Sequence, residues 1–329
     1  MNERRAASPR GVKPQAREAG RRGDAAHAGG AEREEYQRYL ESTPRRRFVR
    51  FWVEFLRRRP LGAFGLALVI VMIVTAALAD RVAPYDPTAL SFKDLLLAPS
   101  GQHLFGTDNF GRDVFSRVLY GARTALLVGF TASVVGCTFG LVLGVLGAYV
   151  GGKTDLLIQR LMDVLISFPL IVIAIAVVAA LGTGEDKIGN VIAAITVPII
   201  PRVSRVVRSS ALTVVQMPYI EATRSVGTRA TRIMIRHVAP NVFAPYLIMM
   251  TAFLGQAILL EASLSFLGLG VFEPTPSWGL MLRGAGMQFL ERAPWLAIAP
   301  GIAISLAVFG FNLFGDSLRD ALDPRLRTA

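Results

Sequence analysis

The sequence predicts an all-α integral membrane protein with six transmembrane helices, and its composition and hydropathy pattern lead to this class. Of its 329 residues, 52% are hydrophobic and 18% are charged, which is more apolar than an ordinary soluble domain of this size. The apolar residues gather in long runs without the alternation of a barrel strand. Because backbone amides find no water inside a bilayer, such runs are expected to be continuous helices.

The first apolar run, from Leu61 to Ala79, is uncharged and long enough for a helix that crosses a hydrocarbon core of ~30 Å. It follows a basic cluster, Arg45, Arg46, Arg47, Arg50, Arg57, Arg58 and Arg59, and is interpreted as a signal anchor. Its end resembles a cleavage site, but the chain before it is far too long for a secretory leader. Five more runs follow, at Thr124–Val150, Val164–Leu181, Ile188–Val203, Val242–Leu264 and Trp295–Phe314.

Arginine placement predicts the orientation of these spans. The stretch between the fourth and fifth runs contains Arg202, Arg205, Arg208, Arg224, Arg229, Arg232 and Arg236. Positive charge favours the cytoplasmic side, and counting spans outward from this stretch places both termini inside. The net charge of +12 is therefore attributed to membrane orientation and not to nucleic-acid binding. Residues 80–123 and 266–294 are predicted to lie outside.

Four regions follow from this pattern. Residues 1–44 contain almost no large apolar residue before Tyr36 and are predicted to be a disordered cytoplasmic tail. Residues 45–123 are the anchor helix and an external segment, and residues 124–318 are the main transmembrane domain with a cytoplasmic loop at 204–241. Residues 319–329 form a second cytoplasmic tail. The single cysteine, Cys137, excludes a disulfide framework, and the three histidines show no metal-ligand spacing.

A phosphate-loop pattern occurs at Gly147-Ala-Tyr-Val-Gly-Gly152-Lys153-Thr154. Its mechanism requires a strand before it and a soluble α/β domain around it. Here the match ends one apolar run and the next begins near Val164, which leaves too little chain for a nucleotide fold. A glycine-rich helix end followed by a short turn is the preferred interpretation.

The stretch from Gln216 to Asn241 is predicted to form two short helices. Pro218 suits a first helical position, and Glu221 lies in the turn where the helix dipole favours a negative charge. Gly227 is placed to end that helix in a left-handed conformation, and Thr228 can cap the next one.

In the second helix of this stretch, Arg229, Arg232 and Arg236 share one face. Ala230, Ile233, Met234 and His237 line another face, and Pro240 is expected to stop the helix. These facts alone support an interfacial helix pair, which could bind lipid headgroups.

The order Glu221-Ala222-x4-Gly227, followed after nine residues by His237-x-x-Pro240-Asn241, resembles the E-A-A-x3-G-x9-I-x-L-P loop of ATP-binding cassette (ABC) importer permeases. The sequence departs from that pattern at Thr223, His237 and Ala239. The resemblance implies that the first short helix docks into a groove on a separate ATPase. The residues to which it assigns this coupling are Tyr219, Ile220, Glu221, Ala222, Thr223, Gly227, His237 and Pro240.

Further motifs resemble the C-type permease of dipeptide, oligopeptide and nickel importers. They are His103–Arg117, Arg160–Asp163, Ser167–Pro169, Ser263–Gly270, Pro274–Gly279 and Gly315–Pro324. The resemblance implies a type I importer permease fold and transport of peptides or similar small solutes across a bacterial inner membrane. It also implies a second homologous permease, two ATPase subunits that bind ATP and Mg, and an external solute-binding protein. This chain itself would be no enzyme and would bind no cofactor or metal.

Several single residues leave alternatives open. Glu261, near the outer end of the fifth run, could belong to a transport pathway or to a local hydrogen-bond arrangement, and Asp163 is similarly ambiguous. As coupling sites they would instead suit a secondary transporter driven by an ion gradient. The outer residues Gly106, Thr107, Asp108, Gly111, Arg112 and Asp113 could contact the binding protein, or could simply form turns.

Overall fold

The computed structural model describes residues 52–53, 55–182 and 187–322, and this part of the chain is built from helices. The tail predicted at 1–44 and most of the one predicted at 319–329 lie outside these ranges. The helices discussed below are α1 (Pro60–Ala77), α2 (Ala79–Val82), α3 (Val114–Val150), α4 (Gly152–Ile166), α5 (Leu170–Leu181), α6 (Lys187–Val215), α7 (Pro218–Ser225), α8 (Ala230–Ile233), α9 (Phe243–Leu267), α10 (Trp278–Met281) and α11 (Trp295–Leu322).

The membrane class predicted from the sequence is confirmed. Among the described residues, five helical stretches are long and apolar enough to cross a bilayer, and the bent pair α4 and α5 would make a sixth span. Three of the helices extend well beyond their apolar runs, and one of them is α11, which continues to Leu322. α3 begins at Val114 because the Asp113 side chain accepts a hydrogen bond of 2.7 Å from the Ser116 N–H, and α6 continues to Val215. The predicted boundary at residues 123/124 therefore falls inside α3.

The third predicted span, Val164–Leu181, is divided in two. α4 and α5 meet at an angle of 98°, and Pro169 caps the start of α5. Proline disfavours helical backbone at the residue before it, here Phe168, so the helix cannot run straight through. Two ion pairs, Asp155–Arg208 and Asp163–Arg205, attach α4 to the C-terminal half of α6.

Close contact between α3 and α6 forms the main core. A Cβ atom on Gly140 would lie 2.6 Å from the Val203 Cβ, and one on Gly144 would lie 2.7 Å from the Ser204 carbonyl oxygen. Glycine is thus required for this separation of the two helices, as is common where membrane helices pack closely.

The first and last spans pack against each other. A Cβ on Gly65 of α1 would lie 2.7 Å from the Leu313 Cβ of α11. At the inner end of this pair, Arg59 donates hydrogen bonds to the carbonyl oxygens of Ser317 and Asp320. α11 also packs on α9, and residues of α1, α3, α9 and α11 form a second hydrophobic cluster.

The α3–α6 contact makes a testable prediction. We expect Gly144→Ala to lower the stability of the purified protein by about 1–3 kcal/mol, because its methyl group would meet backbone atoms of α6. The control is Gly301→Ala in α11, where a Cβ would meet nothing within 4 Å. The measurement is thermal unfolding in detergent, and a Gly144→Ala midpoint at or above that of the control would contradict the packing argument.

Candidate functional site

The short helix α7 has the local structure that the sequence predicts. Pro218 occupies its first turn, Glu221 lies in that same turn, and Gly227 follows its end with a φ of +76°. A Cβ on Gly227 would meet nothing within 4 Å, so the glycine is needed for its backbone conformation and not for space.

Side chains of α7 divide into an anchor and an exposed surface. Ile220 is fully buried in the core cluster that includes α6 residues, whereas Tyr219 is 43% exposed. Glu221 and Ala222 are also exposed. The Thr223 hydroxyl donates a 2.7 Å hydrogen bond to the Tyr219 carbonyl oxygen, so the partner of this hydroxyl lies within α7 itself. Arg224 lies over the ring of Tyr149 at 4.6 Å and connects α7 to the end of α3.

The second short helix differs from its prediction at both ends. Thr228 does not cap it, because α8 begins after Arg229 and has no side-chain cap. Pro240 does not stop it either. A π-helical turn (Met234–Val238) and a 3-10 turn (Ala239–Val242) follow α8 and lead directly into α9. At these altered turns the chain departs from α-helical geometry beside Pro240, which has no N–H to donate.

Two predicted coupling residues, Tyr219 and His237, meet across the two short helices. Their ring centroids are 6.5 Å apart. The Asn241 side-chain amide donates to the Tyr219 hydroxyl at 3.3 Å and to the His237 carbonyl oxygen at 2.7 Å. Sequence reasoning placed Asn241 in the motif but did not foresee that it holds the two helices together.

An exposed basic surface lies beside α7. Ile233 is buried as predicted, Met234 and His237 are half-buried, and Ala230 is exposed. Arg229, Arg232 and Arg236 are exposed and form no ion pair within the described residues. An open depression of ≈ 940 Å³ is lined by Val226, Gly227, Thr228, Arg229, Thr231, Arg232, Ile235 and Arg236.

The outer residues predicted as binding-protein contacts are buried within the chain. Thr107 is fully buried, and Asp108 and Asp113 are at most 5% exposed. Gly106 and Gly111 have positive φ angles, and a Cβ on Gly111 would lie 1.8 Å from the Ser91 carbonyl oxygen. Together with Arg112, which is also buried, these residues fold the external segment, so their surface contact with another protein is not supported.

Carboxylates organise this external segment. Asp108 accepts hydrogen bonds from the N–H groups of Phe110 and Arg112 and a third, of 2.6 Å, from the Arg112 guanidinium. Asp113 accepts from the Ser116 hydroxyl and lies 2.9 Å from the His103 ring nitrogen. Turn formation, the alternative interpretation of this motif, accounts for these contacts.

A set of ion pairs that sequence reasoning missed joins this segment to the loop after α9. Glu273 lies 2.8 Å from Arg112 and 3.2 Å from Arg117, whose side chain is only 1% exposed. The Arg117 guanidinium also donates to the Pro87 carbonyl oxygen. A single sequence could not reveal the partner of Arg117, because Glu273 is 156 residues away.

Glu261 and Asp163 lie in unrelated surroundings. Glu261 is fully buried, and one of its oxygens accepts 2.8 Å hydrogen bonds from the hydroxyls of Ser265 and Ser277, which attaches the outer loop to α9. Asp163 is exposed and pairs with Arg205 on α6. The structure therefore favours local hydrogen bonding for Glu261 and does not bring the two carboxylates into one site.

The phosphate-loop pattern joins two helices. Gly147 lies in α3, and Lys153 and Thr154 lie in the first turn of α4. Where nucleotide hydrolases have a strand before this loop, the chain has the 37-residue helix α3.

Comparison with known proteins gives a consistent result. A family model described as "Binding-protein-dependent transport system inner membrane component" matches residues 136–328, and one described as "N-terminal TM domain of oligopeptide transport permease C" matches residues 47–99. The chain is 42% identical to a putative peptide transport system permease protein of Brucella suis over 83% of its own length and 90% of that protein.

Two further relatives have similar coverage. A dipeptide transport system permease protein of Alkalihalophilus pseudofirmus is 40% identical over 83% of this chain and 88% of its own length. A glutathione transport system permease protein of Escherichia coli is 44% identical over 84% of this chain and 90% of its own length.

The ion pairs of Glu273 lead to a prediction about stability. We expect Glu273→Ala to destabilise the protein by about 1–3 kcal/mol, because it removes the carboxylate that Arg112 and the buried Arg117 share. Glu291→Ala is the matched control, since Glu291 is exposed and makes no ion pair within the described residues. Thermal unfolding of both variants in detergent tests this, and equal midpoints would contradict a stabilising role for Glu273.

Proposed function

The chain belongs to the family of binding-protein-dependent transport system inner membrane components and is a permease of the ABC importers; from that premise we propose that it carries peptides, driven by separate ATPase subunits. The observation that carries the coupling proposal is α7, a short helix that is anchored by the buried Ile220 and exposes Tyr219 and Glu221. It connects α6 to the segment that enters α9.

ATPase docking on α7 fits its mechanical connections. Ile220 packs in the core, Arg224 contacts the end of α3, and Asn241 bridges to the helix that follows. A force applied to the exposed face of α7 would therefore be transmitted to α6, to the end of α3 and to the turn that leads into α9. The exposed Arg229, Arg232 and Arg236 beside it favour acidic groups on the part of the partner that faces them, whereas Glu221 on α7 favours a basic group. The coupling residues named from the sequence are proposed to act through this surface.

The remaining subunits follow from the same proposal. A second homologous permease completes the passage, two ATPase subunits bind ATP and Mg, and an external binding protein delivers the solute. We propose no cofactor for this chain.

Peptide, dipeptide and glutathione transport in the names of its relatives supports small peptides as the cargo. An ion-gradient transporter coupled by Glu261 and Asp163 has no support in their separate environments.

The coupling proposal predicts that Glu221→Lys and Gly227→Arg impair ATPase binding. Glu221→Lys reverses a charge on the exposed face of α7, and Gly227→Arg adds a bulky cation and a backbone penalty of about 1 kcal/mol. The measurement is co-purification of the ATPases together with ATP-dependent uptake.

Gly182→Arg is the matched control for the second variant. Gly182 also has a positive φ and open space around it, but it lies at the other end of the membrane domain, after α5. If both coupling variants bound the ATPases and transported as well as this control, docking at α7 would be wrong.

The proposed orientation places α7 in the cytoplasm and residues 80–113 outside. In a Cys137→Ala background, we expect an impermeant thiol reagent to modify Phe92→Cys in intact cells and Arg232→Cys only in inverted vesicles. Both positions are exposed and the native cysteine is buried. The reverse pattern would contradict the orientation derived from the arginines.

A further inference from the structure

Two carboxamide side chains are exposed in the middle of the membrane domain. Gln256 of α9 is 13 residues after Phe243 and 11 before Leu267, or roughly 20 Å and 16 Å from the ends of its helix at the ordinary rise per residue. Its side chain is exposed and makes no hydrogen bond within the described residues.

Asn312 of α11 lies at the same depth. A Cβ built on Gly255, the residue before Gln256, would be 3.1 Å from the Asn312 side-chain oxygen. Asn312 is exposed and likewise forms no hydrogen bond within the described part of the chain. Ser305, two helical turns away on α11, is exposed on the same face. We name Gln256, Asn312 and Ser305 the polar face.

The hydroxyls of Thr251 and Ser263 on α9 find partners inside the chain. The Thr251 hydroxyl donates to the Ile248 carbonyl oxygen at 2.9 Å, and the Ser263 hydroxyl donates to the Leu259 carbonyl oxygen at 2.7 Å. A hydroxyl can return to its own helix in this way, whereas a carboxamide has two donors and an acceptor to satisfy. The two carboxamides, Gln256 and Asn312, therefore need partners from outside this chain.

Lipid cannot supply those partners. Acyl chains have no hydrogen-bonding group, and polar groups at bilayer depth persist where they face protein or a water-filled cavity. The exposed positions of α1 are of the opposite kind, since Ile70, Val71 and Val74 are apolar and suit a lipid-facing surface. Lipid contact suits these α1 positions, whereas it would leave the hydrogen-bonding groups of Gln256 and Asn312 unpaired.

We propose that the polar face forms part of the wall of the solute passage and that Gln256 and Asn312 exchange hydrogen bonds with backbone peptide groups of the cargo. This inference rests on the proposed function. A carboxamide presents the same N–H donor and carbonyl acceptor as a peptide group, and it is uncharged. Such contacts would suit peptides of different sequence, because every peptide offers the same backbone groups.

The first test measures access of water to the polar face in the complete transporter. In a Cys137→Ala background, Gln256→Cys and Asn312→Cys are compared with Val71→Cys on α1, and each complex is treated in proteoliposomes with a small charged methanethiosulfonate. We expect both variants to react about tenfold or more faster than the control, because the reagent does not partition into the hydrocarbon core. Reaction at the control rate, or disulfide cross-linking to the second permease instead, would overturn the proposal.

The second test measures contact with cargo. Gln256→Leu is compared with the conservative Gln256→Asn for ATP-dependent uptake of dialanine, at equal amounts of assembled complex. We expect the leucine variant to raise the KM about tenfold and the asparagine variant to retain most of the wild-type value, in keeping with one lost hydrogen bond. A wild-type KM for Gln256→Leu would refute the cargo contact.

The proposed function and the placement of the polar face can be tested separately. If the wild-type complex takes up no dialanine while both cysteine variants react quickly, the peptide assignment fails and the passage wall stands. If uptake is normal and both cysteines are inert, the polar face is wrong and the proposed function stands.

Discussion

Close packing between α3 and α6 is the contact on which the rest of the structure depends. Glycine at positions 140 and 144 lets the backbone of one helix approach side chains and carbonyl groups of the other. In a bilayer no hydrophobic effect draws helices together, so this fit must come from van der Waals contact over a long interface. Because α6 continues beyond the core and leads into α7, the same contact determines where α7 lies.

Electrostatic contacts then fix the two ends of this core. At one end, Asp155 and Asp163 of α4 pair with arginines of α6, which keeps the bent α4–α5 pair against the helix that leads to α7. At the opposite end, Glu273 connects Arg117 at the start of α3 with the loop after α9. Both sets join segments that are distant in sequence. A displacement of α6 would therefore be shared by its neighbours instead of being absorbed in loops.

Features governed by local chemistry were predictable from the sequence. The positions of the spans followed from the apolar runs, and the left-handed end of α7 followed from Gly227. Three features were not, because they depend on tertiary context. Pro169 divides a span that its hydropathy presents as continuous, whereas Pro240 is tolerated within a helix through altered turns. The motif from Gly106 to Asp113 left both a binding-protein contact and turn formation open, and its carboxylates bond within their own segment. Nothing in the spacing of one sequence distinguishes these outcomes.

The contrast between Glu261 and Gln256 shows how burial decides the role of a polar group at membrane depth. Both lie on α9, but Glu261 faces inward and accepts hydrogen bonds from Ser265 and Ser277, so it holds the outer loop. Gln256 lies little more than one turn away, is exposed, and forms no hydrogen bond within the described residues. The ionisable residue therefore has a structural role here, although hydropathy alone would single it out as functional. The uncharged amide, which attracted no attention in the sequence, has the exposed geometry that contact with a moving solute requires.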